Sequence, residues 1–112
     1  MSEIKHTPGP WVLMRHGVIH GGPVREYTNG KGQSQIALAT GADFMELGEQ
    51  QKNAQLMAAS PDLLADLALA AATLRRYEEL HRAKGTAESA EKAEVNANLA
   101  ARFEATIAKA TA

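Results

Sequence analysis

The chain contains no cysteine. That absence removes disulfide staples, thiolate zinc sites and thiol nucleophiles together, and it fits a reducing compartment. Aromatic residues are scarce, at 4% of 112 positions, so large side chains supply little of any core. No run approaches the ~18 consecutive apolar residues of a membrane span, and the first residues lack a secretory pattern, so no membrane association is expected. A strong net charge is missing too: the formal charge is −1 and the pI about 6.4. General nucleic-acid binding is therefore not expected, because it needs a broad basic field; a local basic pocket remains open. No serine sits in a nucleophile elbow, and the glycines match neither a P-loop nor a dinucleotide fingerprint.

What is present falls into two halves of different grammar within one domain, residues 1–112. Residues 1–46 hold most of the glycines, three of the four prolines and three of the four histidines. Short apolar runs alternate there with turn signals. "WVLMRH" (11–16) and "VIH" (18–20) flank Gly17, and "GGP" (21–23) reads as a break. "VREYT" (24–28) and "QSQIALATG" (33–41) flank the hairpin signal "NGKG". The pattern predicts a small antiparallel meander. Strands this short need a surface to lie on, and residues 47–112 supply it as helices.

"LGEQQKNAQLMAAS" (47–60) predicts a short first helix. The second runs from an N-cap at Ser60 and Pro61 to a stop at Gly85. Leu63, Leu67, Ala70, Leu74 and Tyr77 mark its apolar stripe, and Glu78 is spaced to pair with Arg82. Thr86 is the expected cap of a third helix, on which Val95, Leu99, Phe103 and Ile107 recur every fourth residue. With only Gly85 and Thr86 between them, the last two helices are expected to form an antiparallel hairpin. The predicted fold class is α+β: a short N-terminal antiparallel β-meander on a helical layer, with a long C-terminal helical hairpin. Alanine buries little area per residue, so the helices must approach closely or recruit a partner. A homo-oligomer through residues 61–84 and 87–110 is the expectation.

The candidate chemistry lies in the first half. Pro8, Gly9 and Pro10 form a rigid turn before the only tryptophan. Trp11 is then either a core wedge aimed by that turn or a stacking wall for a base-like ring. Arg15, His16, His20, Arg25 and Lys31 are opposed only by Glu26 between residues 11 and 31, with Tyr27 and Asn29 among them. Guanidinium forks, amides, backbone N–H groups at glycines and an aromatic face form the mix a phosphate-bearing ligand needs; an ordinary solvated sheet face is the plain alternative. His6, His16 and His20 lack a recognisable ligand spacing, so no metal is expected. Asp43 and Glu46 do not read as a paired acid and base, and no catalytic residue or cofactor is assigned. Asn53, inside a helical pattern, reads as a buried amide tying the first helix to the sheet.

"HTPGPW" (6–11), "KNAQLMAASPDLLADL" (52–67) and the ending "IAKAT" (107–111) together resemble a family of small proteins encoded by tailed phages and prophages. That resemblance implies a phage source and the cytoplasm of an infected bacterium. It implies no enzymatic activity and no cofactor. By analogy with small accessory phage proteins, the expected role is non-catalytic binding against host defence. The first expectation is sequestration of a nucleotide-like signal. The alternatives are inhibition of a host defence protein complex through the helices, and an enzyme that degrades the signal.

Overall fold

Proline and glycine shape the entry to the fold. In the computed structural model, which describes residues 5–39 and 48–112, the Gly9–Pro10 bond is cis. The chain then forms strand β1 (Val12–Leu13) and leaves it at once. Met14 N–H donates to the Val18 carbonyl at 2.7 Å, bracketing a 3-10 turn over Arg15–Gly17 in which the Val18 N–H donates to the Arg15 carbonyl. His16 (φ 61°) and Gly17 (φ 76°) are both left-handed there. That conformation ends the strand three residues before the predicted limit, because an extended chain cannot contain it.

Strand β2 (Val18–Tyr27) pairs antiparallel with β1 and with β3 (Gly30–Leu38), in the order β1-β2-β3. The predicted break at Gly21–Pro23 is not a break. Strand β2 runs through it with a bulge: Gly21 faces Ser34 and Arg25 faces Gly32, so the register shifts between them. Proline cannot donate to a ladder, and a bulge is where a strand tolerates one. Gln33 bridges the irregularity, its Nε2 donating to the Gly22 carbonyl at 2.8 Å. The hairpin turn is Thr28–Asn29, at the leading edge of the expected Asn29–Gly32 signal, and Gly30, Lys31 and Gly32 already belong to β3.

Helix α1 (Glu49–Ala58) packs against β1, β2 and the 3-10 turn, with Ile19 and Ala54 fully buried. Asn53 is exposed, so it is not the buried tie. The half-buried Gln50, one turn earlier on the same face, donates its Nε2 to the Ala39 carbonyl just beyond β3.

Helix α2 (Ser60–Lys84) follows α1 after Ala59 alone. Ser60 does not act as an N-cap; its hydroxyl donates back to the Leu56 carbonyl at 3.1 Å. Helix α3 (Ala87–Ala110) does begin as expected, with the Ser89 N–H donating to Thr86 Oγ1 at 3.1 Å. Gly85 (φ 72°) supplies the left-handed stop between the two helices. The described residues thus give a three-stranded antiparallel sheet followed by three helices, an α+β fold. No single described helix is long and apolar enough to cross a membrane.

The chain divides into two compact units, Met1–Leu63 and Leu64–Ala112, with the division inside α2. The second unit is the antiparallel α2–α3 hairpin. Its buried and half-buried positions include the rows Leu64, Leu67, Ala71, Leu74, Glu78 and His81 on α2, and Ser89, Ala93, Asn96, Ala100, Phe103 and Ile107 on α3, with Ala70, Arg75 and Ala97 half-buried beside them. Both rows alternate steps of three and four, the spacing of a coiled-coil seam. The predicted stripes are corrected here. Leu63 and Tyr77 are exposed on α2, as are Val95 and Leu99 on α3. On α3 the predicted line steps strictly by four, which rotates about 40° each time and leaves the contact face within two steps; on α2 the spacing of three and four was right, but its ends fall one residue before the half-buried Leu64 and Glu78.

Candidate ligand-binding site

Period-two alternation places Pro23, Arg25 and Tyr27 on one face of β2, with Gly32 opposite Arg25. Tyr27 lies against Gly32: a Cβ added there would stand 3.0 Å from Tyr27 Cε2. With Gln33 and Ser34 these residues line a concavity of about 420 Å³. It offers one guanidinium, one phenol, a hydroxyl and a ring surface.

The expected site residues do not all gather there. Arg25 and Tyr27 do. Lys31 faces Glu26 directly across the ladder, on the alternate row, and the two pair at 3.7 Å with both side chains exposed. Asn29 is exposed in the turn. Arg15 and His16 are exposed in the 3-10 turn at the other end of β2. His20 is half-buried beside Val12 of β1. Asp43 and Glu46 lie outside the described residues, as do Thr40, Gly41 and Leu47 at the predicted element ends. Among the described residues no three His, Asp or Glu side chains converge as a metal site would require. Pro23, Gln33 and Ser34 were missed as lining residues. The expected strand break cut the alternation that would have placed Pro23 with Arg25 and Tyr27, while Gln33 and Ser34 depend on the register shift of β3 against the bulge.

Trp11 occupies a different place. Its indole covers Gly21, where an added Cβ would meet Trp11 Cδ1 at 2.6 Å and Ile36 Cγ1 at 3.0 Å. Its Nε1 donates to the Thr7 carbonyl at 3.1 Å, and the His6 ring stands edge-on with centroids 6.4 Å apart. The polar handle of the indole is thereby satisfied within its own segment. Gly9 reaches Pro61, whose Cβ would lie 3.0 Å from a Cβ at that glycine. The N-terminal turn and the proline that opens α2 are in contact.

The displaced ionisations belong to the hairpin. Glu78 accepts from Arg75 at 2.9 Å and from Arg82 at 3.0 Å, and Arg75 also grips Glu104 of α3. Hydrogen bonds from Arg75, then Arg82, hold the Glu78 carboxyl below the ordinary carboxylate value. Arg75 does the same to Glu104, and both arginines are raised in return. Arg82 reaches Glu94 at 3.5 Å, which extends the chain of charges along one edge of α2 and α3.

A family model described as Salmonella phage P22 protein Y8K6 matches residues 1–112. The chain belongs to the P22 Y8K6 family. No curated protein and no solved structure matches it. The family covers the whole chain, so the turn before Trp11, the helix opening at Pro61 and the hairpin all lie within one phage protein family.

Proposed function

We propose that this phage-family protein is a non-catalytic binding protein acting against host antiviral defence, and that it holds a small nucleotide-like signal in the concavity of β2 and β3. The observation behind this reading is the convergence of Arg25 and Tyr27 over Gly32, with Gln33 and Ser34 beside them. A guanidinium fork engages phosphate oxygens through two charge-assisted bonds. A tyrosine that remains 59% exposed offers a surface on which a base stacks. Ser34 adds a neutral donor. The set contains no paired acid and base to break a phosphoester bond, which favours sequestration over conversion.

The test is calorimetry against a panel of cyclic and linear nucleotides, with the recovered ligand checked for chemical change. Binding with intact ligand is expected. Arg25→Ala should abolish it, whereas Lys31→Ala should leave it within about threefold, since Lys31 is engaged with Glu26 on the other row. Equal losses in both variants would refute the placement, and ligand conversion would make the protein an enzyme. A second reading, inhibition of a host defence complex through the helices, draws on the exposed apolar side chains of α2 and α3. It gains if no nucleotide binds.

A further inference from the structure

A strand advances about 3.3 Å per residue, so every second side chain on one face stands about 6.6 Å from the next. Pro23, Arg25 and Tyr27 therefore form a row about 13 Å long beside the concavity, with the guanidinium in the middle. Each end of the row carries a ring. At Tyr27, Cε2 and Cδ2 stand 3.0 and 3.6 Å from the place of a Cβ on Gly32, and the rest of the ring is more than 4 Å from it. The ring thus meets the neighbouring strand edge-on, which leaves a ring face for a flat ligand group. At Pro23 the pyrrolidine is exposed and has little conformational freedom to lose on contact. The bulge that carries it is tied to β3 by the bond from Gln33 to the Gly22 carbonyl. Gly32, opposite Arg25, puts no side chain between the two rings.

Charge sets how many phosphates the row can grip. Among the described residues that line the concavity, Arg25 is the only charged one. Lys31 belongs to the other row and is paired with Glu26. Arg15 precedes β2 altogether, in the 3-10 turn. One guanidinium fork matches the two free oxygens of one phosphodiester. A further phosphate would find no cation in the row. Ring, single cation, ring is the order of a base, a phosphodiester and a second base, and stacking accepts any base because each has a π-face.

We infer that the ligand is two bases joined through a phosphodiester, a linear or cyclic dinucleotide, with the phosphate on Arg25 and a base each on Tyr27 and Pro23. This inference rests on the nucleotide reading of the same concavity. Calorimetry on the full chain compares AMP, GMP, CMP and UMP with the matching dinucleoside monophosphates, cyclic dinucleotides and triphosphates. For at least one base, a linked pair should bind about fivefold or more tightly than the mononucleotide. The triphosphate of that base should stay within about threefold of the mononucleotide, since its extra charges remain in water. Whichever linked pair binds more tightly, linear or cyclic, identifies the source. Pro23→Ala should weaken the linked pair by about threefold more than the mononucleotide, through lost apolar contact, with the circular dichroism unchanged. Mononucleotides that bind as tightly as the linked pairs overturn the inference and leave the nucleotide reading standing. So does a triphosphate that outbinds both linked pairs, or an equal loss for both ligands in Pro23→Ala. An absence of binding by all four classes overturns the inference and the nucleotide reading together.

Discussion

At Gly21 a missing side chain does more than any present one nearby. The Trp11 ring occupies the space a Cβ would need, 2.6 Å from Cδ1. Gly21→Ala must therefore push the indole or the strand aside, at a cost of about 1–3 kcal/mol. In a Trp11→Ala background the same substitution should cost less, because only the 3.0 Å approach to Ile36 Cγ1 remains; urea denaturation of the four proteins measures that coupling. Strictly additive losses would mean that the glycine serves the backbone and not the indole. Trp11→Ala alone should fall short of the ~3–5 kcal/mol of a fully buried aromatic, since the ring is half-buried. The Pro-Gly-Pro turn announces that Trp11 is being aimed. Its target was not legible, because a glycine contributes nothing to hydrophobic periodicity and reads as a turn. Ser60 misleads for a similar reason. A serine before proline has the composition of an N-cap, and only the nearness of α1 gives its hydroxyl a carbonyl to reach.

At the scale of elements, ends were more legible than faces. Thr86 and Gly85 act locally, through bonds within four residues, so their roles follow from sequence. Thr86→Ala should lower stability by about 1 kcal/mol, the usual cost of a lost cap, read from the shift of the thermal midpoint; Thr86→Ser should restore it. Faces depend on what packs against them. The seam of α2 and α3 runs through Ala71, Ala93 and Ala100, not through the larger Val95 and Leu99. Glu78, His81, Ser89 and Asn96 on or beside it make the end near the connection polar. His81 Nδ1 is buried there without a hydrogen-bond partner among the described residues, a cost that the hairpin carries. In the sheet, the antiparallel meander and the approximate place of its turn were legible from Asn29–Gly30 and the β-branched runs, but the strand number was not, because the expected break at Gly21–Pro23 lies inside β2. The bulge was not, because it depends on Gln33 reaching across to Gly22. For the same reason only Arg25 and Tyr27 of the expected site could be placed together: proximity on a sheet is a matter of register, and the bulge resets it.

The division of the whole molecule into Met1–Leu63 and Leu64–Ala112 separates its natural probes. Trp11, the only tryptophan, belongs to the first unit. Most of the helical signal belongs to the second, which holds nearly all of α2 and all of α3. So do both carboxyls held below the ordinary range, Glu78 and Glu104. A depressed carboxyl pKa in the folded state contributes stability that is present above the unfolded value, about 4.3. That stability drains away as pH falls from there through the folded value, because the unfolded chain takes up the proton first. Acid should therefore loosen the hairpin before the sheet. A titration from pH 7 to 2 followed by circular dichroism at 222 nm and by Trp11 fluorescence should give two transitions, the helical one at the higher pH. Raised salt should bring the helical transition nearer to the fluorescence one, since these ion pairs are partly exposed and screened. Arg75→Ala removes the donor common to both glutamates, so it should destabilise the hairpin at pH 7 and flatten its pH dependence, with Trp11 fluorescence unchanged. Coincident transitions in the unmodified protein would show one cooperative body, in which the loss of an ion pair on the helices is felt equally at Trp11.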